Sequence, residues 1–172
     1  MSVYLYDPGT EQEKEYTIVI SCENVPGVTA SIANLIGRRG INITSLIGAS
    51  TADPDLYRVI IKCITTSRDL EKMVKQINNI VNVLEVRDSL REEFLEYEMM
   101  LARVPYDTKK HNGIFHVVNH FQGKILDFGD KQITLSFSDT PEKLAMITKL
   151  LAKFGELEIV MSGVAVMGKQ SY

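Results

Sequence analysis

The sequence contains no tryptophan, only two cysteines and five prolines among 172 residues, and no long stretch of a single character. Cys22 and Cys63 stand far apart without a CxxC partner, which leaves both a disulfide framework and a zinc site without support. Each lies in an apolar, strand-like run, where a buried reduced thiol is expected. No apolar run is long enough to span a bilayer. Residues 1–16 lack the basic end and apolar core of a signal peptide, so the expected compartment is the cytoplasm. Lysine and arginine number 19 against 22 aspartates and glutamates, for a net charge of −3, and no basic run stands out. Nucleic acid is therefore not an expected partner. GxGxxG, P-loop, GxSxG and HExxH patterns are all missing, and no nucleophile–base pair is visible. A small enzyme is the weakest of the readings open to this chain.

What is present is a stretch, residues 16–50, that reads as strand, polar loop, helix, glycine stop and strand. Residues 16–21 are rich in β-branched side chains and free of proline and glycine, which favours a pleated strand. Glu23, Asn24, Pro26 and Gly27 break the run. Val28, Ile32, Leu35 and Ile36 then recur at helical spacing. Arg38 and Arg39 are expected in the last helical turn, where cations suit the negative helix end, with Gly40 as a left-handed stop. A second strand follows from Ile41 to about Ser50. The loop at residues 24–28 would set free N–H groups at a helix N-terminus beside a residue without a side chain. That arrangement suits a phosphate or the carboxylate of a small ligand, although a plain strand-to-helix turn has the same appearance.

The rest of the first half follows in kind. Asp53, Pro54 and Asp55 form a turn. Residues 56–65 alternate, with Tyr57, Val59, Ile61 and Cys63 on one side and Arg58 and Lys62 on the other. Thr66 or Ser67 can cap a helix carrying Leu70, Met73, Val74 and Ile77, and residues 80–86 read as a closing strand. The order is β-α-β-β-α-β, which right-handed crossovers turn into a ferredoxin-like antiparallel sheet with both helices on one face. After a charged connector the pattern restarts: strand at 98–104, helix at 110–121 ended by Gly123, strand at 124–128, a Gly129–Asp130 hairpin and a strand at 132–137. A helix then opens on Thr140 and Pro141, and a last strand runs over 158–166. The fold class is α+β, with two ferredoxin-like βαββαβ domains. The expected boundaries are an arm at 1–15, a first domain at 16–89, a connector at 90–97 and a second domain at 98–172.

Few residues suggest chemistry. His116 and His120 are one helical turn apart and His111 is close in sequence, but no cysteine or carboxylate completes a metal site, so a solvated helix face is expected. Glu92, Glu93, Glu96 and Glu98 read as a solvated connector. Tyr57 and Phe128 could stack on bases, but the basic–aromatic strand signature for RNA is missing. Asn42, with both a donor and an acceptor, could read the ammonium and carboxylate of an amino acid, or could simply be a turn residue after Gly40.

At ENVPGV, IGRRGINITSLIGASTADPDLYRV, LEYEMMLARV and EIVMSGVAVM the sequence resembles the small regulatory subunits of acetolactate synthase (acetohydroxyacid synthase), over nearly everything beyond the N-terminal arm. The resemblance implies that the first domain is an ACT domain. It would pair with a second copy into one continuous sheet and bind valine at the ACT–ACT interface. The family's binding positions fall on Asn24, Gly27 and Val28 in the first loop and on Asn42 and Ile43 at the start of the second strand, with Pro26, Ser45 and Ala49 as weaker candidates. Thiamine diphosphate, magnesium and FAD would belong to the large catalytic subunit and no cofactor to this chain. The implied role is to activate that subunit and make it sensitive to valine in branched-chain amino acid biosynthesis. The alternative is a free-standing amino-acid-binding ACT module that serves another partner.

Overall fold

The computed structural model describes residues 12–106 and 111–170. Two compact units emerge, one formed by residues up to Leu95 together with those from Val166 onward, the other by Glu96–Ala165. In the first, β1 (Lys14–Glu23), α1 (Val28–Gly37), β2 (Asn42–Ser50), β3 (Leu56–Thr65), α2 (Ser67–Ile77) and β4 (Val83–Asp88) build a sheet ordered β2-β3-β1-β4. The pairings resolved between β1 and β3, β1 and β4, and β2 and β3 are all antiparallel. In the second, β5 (Phe94–Pro105), α3 (His111–His120), β6 (Lys124–Phe128), β7 (Gln132–Asp139), α4 (Pro141–Leu151), a 3-10 turn (Ala152–Phe154) and β8 (Glu158–Gly168) repeat the arrangement in the order β6-β7-β5-β8. Both are the ferredoxin-like form that the element order implies.

Alternation decides which side of each sheet is buried. In the first unit Ile18, Ile20 and Cys22 of β1 and Val59, Ile61 and Cys63 of β3 pack against Val28, Ile32 and Ile36 of α1 and Leu70, Met73, Val74 and Ile77 of α2. At about 1.5–3 kcal/mol per buried aliphatic side chain, this face holds the helices on the sheet. The second unit is built likewise from Met100, Ala102 and Val104, Ile133, Leu135 and Phe137, with Ile114 and Val118 of α3 and Leu144, Ile147 and Leu151 of α4.

Several expectations need correction. β1 begins at Lys14, inside the segment read as an arm, because Lys14 and Glu15 pair with Thr65 and Ile64. Glu15 also accepts a hydrogen bond from Thr44 (2.8 Å) and faces Lys62 (3.6 Å); residues 1–11 of the arm, and Lys110, lie outside the described residues. α1 ends at Gly37, so Arg38 and Arg39 follow the last turn instead of filling it, and Gly40 does take the left-handed conformation (φ 69°). β4 starts at Val83, not residue 80, because residues 78–82 make a turn closed by bonds from Ile80 N–H to Ile77 and from Val83 N–H to Ile80. β5 starts at Phe94, inside the segment read as connector. The connector carboxylates are not all simply solvated, since Glu92 faces Arg87 (3.3 Å) and Glu93 faces Lys169 (2.9 Å). Thr66 caps α2 by accepting the Asp69 N–H, but the Thr140 hydroxyl caps nothing, and the Asp139 carboxylate takes the Thr140 N–H instead (2.8 Å).

The end of α3 also differs in kind. Gln122, not Gly123, is the left-handed residue (φ 53°). Gly123 is required by crowding: a Cβ there would sit 2.8 Å from Phe137 Cδ1 in the core. Its N–H reaches back to the Val118 carbonyl (2.7 Å), which ties off the helix.

Candidate functional site

The loop between β1 and α1 is held by the turn between β2 and β3. The Asn24 N–H donates to the Asp55 carbonyl (2.8 Å), and its side-chain amide donates to the Pro54 carbonyl (2.9 Å). The Val25 N–H folds back to the Glu23 carbonyl (2.9 Å), and Pro26 has no N–H to offer. Asn24 and Val25 therefore do not supply free amides, contrary to the sequence reading; they shape the loop. The free donors start one step later. Gly27 is the N-cap of α1, with φ 89° and no side-chain cap, and the first bond closed in the helix runs from Ser31 N–H to the Gly27 carbonyl. This leaves the N–H groups of residues 27–30 without partners inside the helix.

Two features make that end receptive to an anion. The first turn of α1 contains no acidic side chain, so nothing within the helix neutralises the positive end of its dipole. The space beside Gly27 is open, since an added Cβ would meet nothing within 4 Å. Glycine is needed here for its positive φ, a conformation costly for most L-residues. The Val28 side chain is buried in the core, so that residue offers its backbone alone.

The other candidate residues lie elsewhere. Asn42 opens β2 and is exposed, and its amide has no partner among the described residues. Asn42 stands opposite Ile64, which stands opposite Glu15 on β1, whereas the loop leaves β1 after Glu23. From Glu15 to Glu23 is eight steps, and at about 3.3 Å each that separates Asn42 from the loop by roughly 26 Å. The two halves of the expected site are thus at opposite ends of one sheet. The reason is topological: β1 and β2 both run antiparallel to β3, so they run parallel to each other, and the loop follows the end of one while Asn42 begins the other.

β2 is an edge strand. Its register shifts between Ile43 and Ser45, opposite Cys63 and Lys62, which leaves Thr44 as the extra residue. The bulge reverses the alternation. Ile43 packs onto the helix-covered core, and after the bulge Leu46 and Gly48 share that side, opposite Ile61 and Val59. Asn42, Ser45 and Ala49 lie on the other side. Leu46 remains 40% exposed at the middle of the strand. Sequence reasoning missed the roles of Pro54 and Asp55 in holding Asn24, and of Tyr57, whose ring crosses to Gly48. The Asp-Pro-Asp turn was a visible signal, but its contact with Asn24 is long-range.

The two buried thiols, Cys22 at the loop end of the sheet and Cys63 at the far end, are held neutral. Burial raises the pKa of the Cys22 thiol, which donates to the Tyr57 carbonyl (3.4 Å), and burial followed by the nearby Glu15 carboxylate pushes Cys63 up to about 11. His116 and His120 are exposed on α3, the His111 side chain lies outside the described residues, and among the described residues no group of three or more His, Cys, Asp or Glu could hold a metal ion.

Against known proteins, the chain is 31% identical over 154 residues to the acetolactate synthase small subunit of Mycolicibacterium smegmatis, covering 90% of this chain and 91% of that protein. The chain belongs to the acetolactate synthase small-subunit family. Residues 18–85 match the AHAS small subunit-like ACT domain, and residues 97–170 match the model described as small subunit of acetolactate synthase. Among other small subunits, chloroplastic subunit 2 of Arabidopsis thaliana is 31% identical over 153 residues, although the chain spans only 32% of that longer protein. The crystal structure of the acetolactate synthase small subunit from Thermotoga maritima superposes with a TM-score of 0.79 at 31% identity, covering 92% of this chain and 99% of that one. No helix among the described residues is long and apolar enough to cross a membrane.

Proposed function

We propose that this small subunit binds valine between two copies of its first domain, and that it activates the acetolactate synthase catalytic subunit and makes it sensitive to valine. The observation that carries the reading is the separation of the two half-sites. Asn24, Gly27 and Val28 cannot act with Asn42 and Ile43 on one small ligand within one chain. A twofold, antiparallel pairing of β2 with β2 of a second copy, centred on Leu46 and passing over the extra residue Thr44, sets Asn42 of one copy beside Ala49 of the other, near the loop end of the sheet. The unpaired edge of β2 supplies the N–H and C=O groups for such a pairing.

In this arrangement the valine carboxylate takes the N–H groups at the start of α1, Asn42 of the second copy reads the polar end, and Asn24 acts by fixing the loop. Helix-end attraction contributes up to ~2 kcal/mol when partly buried, each charged hydrogen bond roughly 1.5–3 kcal/mol, and burial of the side chain about 1.5–3 kcal/mol. After the cost of association, a Kd between ~1 μM and ~1 mM follows. For valine to regulate, it must bind one state of the complex with the catalytic subunit better than the other, because equal affinity shifts nothing. Thiamine diphosphate, magnesium and FAD are assigned to the catalytic subunit alone, and the cytoplasm is the compartment in which the pair would meet.

Reconstitution tests this directly. Adding the chain to a purified acetolactate synthase large subunit should raise pyruvate condensation, and millimolar valine should lower it again. A stimulation that valine leaves untouched would remove the effector role; valine binding without stimulation would favour a module serving another partner.

A further inference from the structure

We propose that Tyr57 is the specificity-determining residue that limits the size of the effector's side chain, favouring valine over leucine. This rests on the effector reading above and adds which residue selects among branched aliphatic amino acids. Tyr57 stands opposite Cys22 on β1 and Ser50 on β2, level with the end of β1 from which the loop departs. It faces the helices and packs on the cluster that contains Val28, the first residue of α1. Its ring does not stop over its own strand. A Cβ on Gly48 would lie 2.8 Å from Tyr57 Cζ and 2.9 Å from Cε1. Gly48 is not among the residues with positive φ, so its backbone does not demand glycine; the space above it is taken by the phenol.

The ring therefore bridges β3 to the edge strand on the side of the sheet where α1 begins, and its hydroxyl has no hydrogen-bond partner among the described residues. A ligand whose carboxylate sits on the amides of residues 27–30 lays its side chain over this stretch of β2, with the second copy as the outer wall. The ring is the floor of that space. Its reach to Gly48 fixes the depth: the short branch of valine clears it, and the extra methylene of leucine does not.

Calorimetry on the full chain, with L-valine and L-leucine as probes, tests this. Tyr57→Ala should weaken valine about 10-fold and bring leucine to equal or tighter binding, since one methylene in an apolar pocket is worth about 10- to 200-fold in discrimination. Tyr57→Phe keeps the ring and should keep the wild-type valine-to-leucine ratio. Should Tyr57→Ala fail to fold, Tyr57→Leu removes the reach to Gly48 while keeping an apolar stem, and it carries the same expectation. A folded Tyr57→Ala or Tyr57→Leu protein with the wild-type ratio overturns the proposal, as does a Tyr57→Phe variant with the ratio lost. Wild-type protein that binds neither amino acid refutes the underlying effector reading instead.

Discussion

Gly27 and Asn42 divide the proposed work between them, and their substitutions should fail differently. Gly27→Asp places a carboxylate where the ligand's own should sit. Aspartate tolerates a left-handed backbone better than most residues, and the open space beside Gly27 accepts it. The variant should fold, still stimulate the catalytic subunit and give no heat with valine; a normal binding isotherm would move the site elsewhere. Asn42→Ala removes a charged hydrogen bond worth roughly 1.5–3 kcal/mol, so valine should bind about 10- to 100-fold more weakly, read as the concentration needed for inhibition. The buried thiols give a pH test. The pKa of Cys63 is raised from 9.0 to about 11 in the folded chain, so its contribution to stability is complete below the unfolded value near 9 and is lost as pH rises toward 11. The urea midpoint should decline over that window, and neither thiol should react with a disulfide reagent at neutral pH until the chain is unfolded.

At the scale of single elements, the bounds most open to reading were those set by nearest neighbours in sequence. β3 was placed at residues 56–65 because an Asp-Pro-Asp turn precedes an unbroken alternation, and the structure has Leu56–Thr65. The bulge at Thr44 was hidden, because an extra residue in an edge strand leaves no mark on composition. β4 was placed too early because Ile80 is apolar; it packs on the core from a turn, and its neighbour Val81 is 92% exposed. At the end of α3 the sequence marks Gly123 as the stop but not how it acts: Gln122 bears the strain of the positive φ, and Gly123 makes room for Phe137. Gln122→Gly should accordingly stabilise the protein by about 0.5–1 kcal/mol, whereas Gly123→Ala should destabilise it by about 1–3 kcal/mol through overpacking. Thermal melts of the two variants that moved in the same direction would contradict this assignment.

Across the whole molecule, the doubled βαββαβ order was legible because hydrophobic periodicity changes cleanly between strand and helix. The candidate residues and their expected place between two copies were legible in the sequence; their separation along one sheet was not. Parallel β1 and β2 already imply that a loop after one and an asparagine at the head of the other are far apart, a deduction that needs topology in addition to spacing. If the site is completed by a second copy, β2 is its seam. Leu46→Lys would set two ammonium groups face to face at the centre of that seam while leaving the β2–β3 pairing intact. The expected result is a folded monomer by analytical ultracentrifugation that no longer binds valine; a dimer with unchanged affinity would exclude pairing through β2.

The distance along the sheet from the α1 loop to Asn42 has a genetic corollary. If every pocket draws its two halves from different polypeptides, co-expressing a Gly27→Asp chain with an Asn42→Ala chain yields hybrids in which one cavity collects both lesions and the other collects neither. Random assortment at equal dose would make about half the dimers hybrids, so about a quarter of all cavities would be restored. One allele deaf to valine and one with a weakened response would then together recover a partial response of normal affinity, a complementation that a pocket confined to one polypeptide cannot produce.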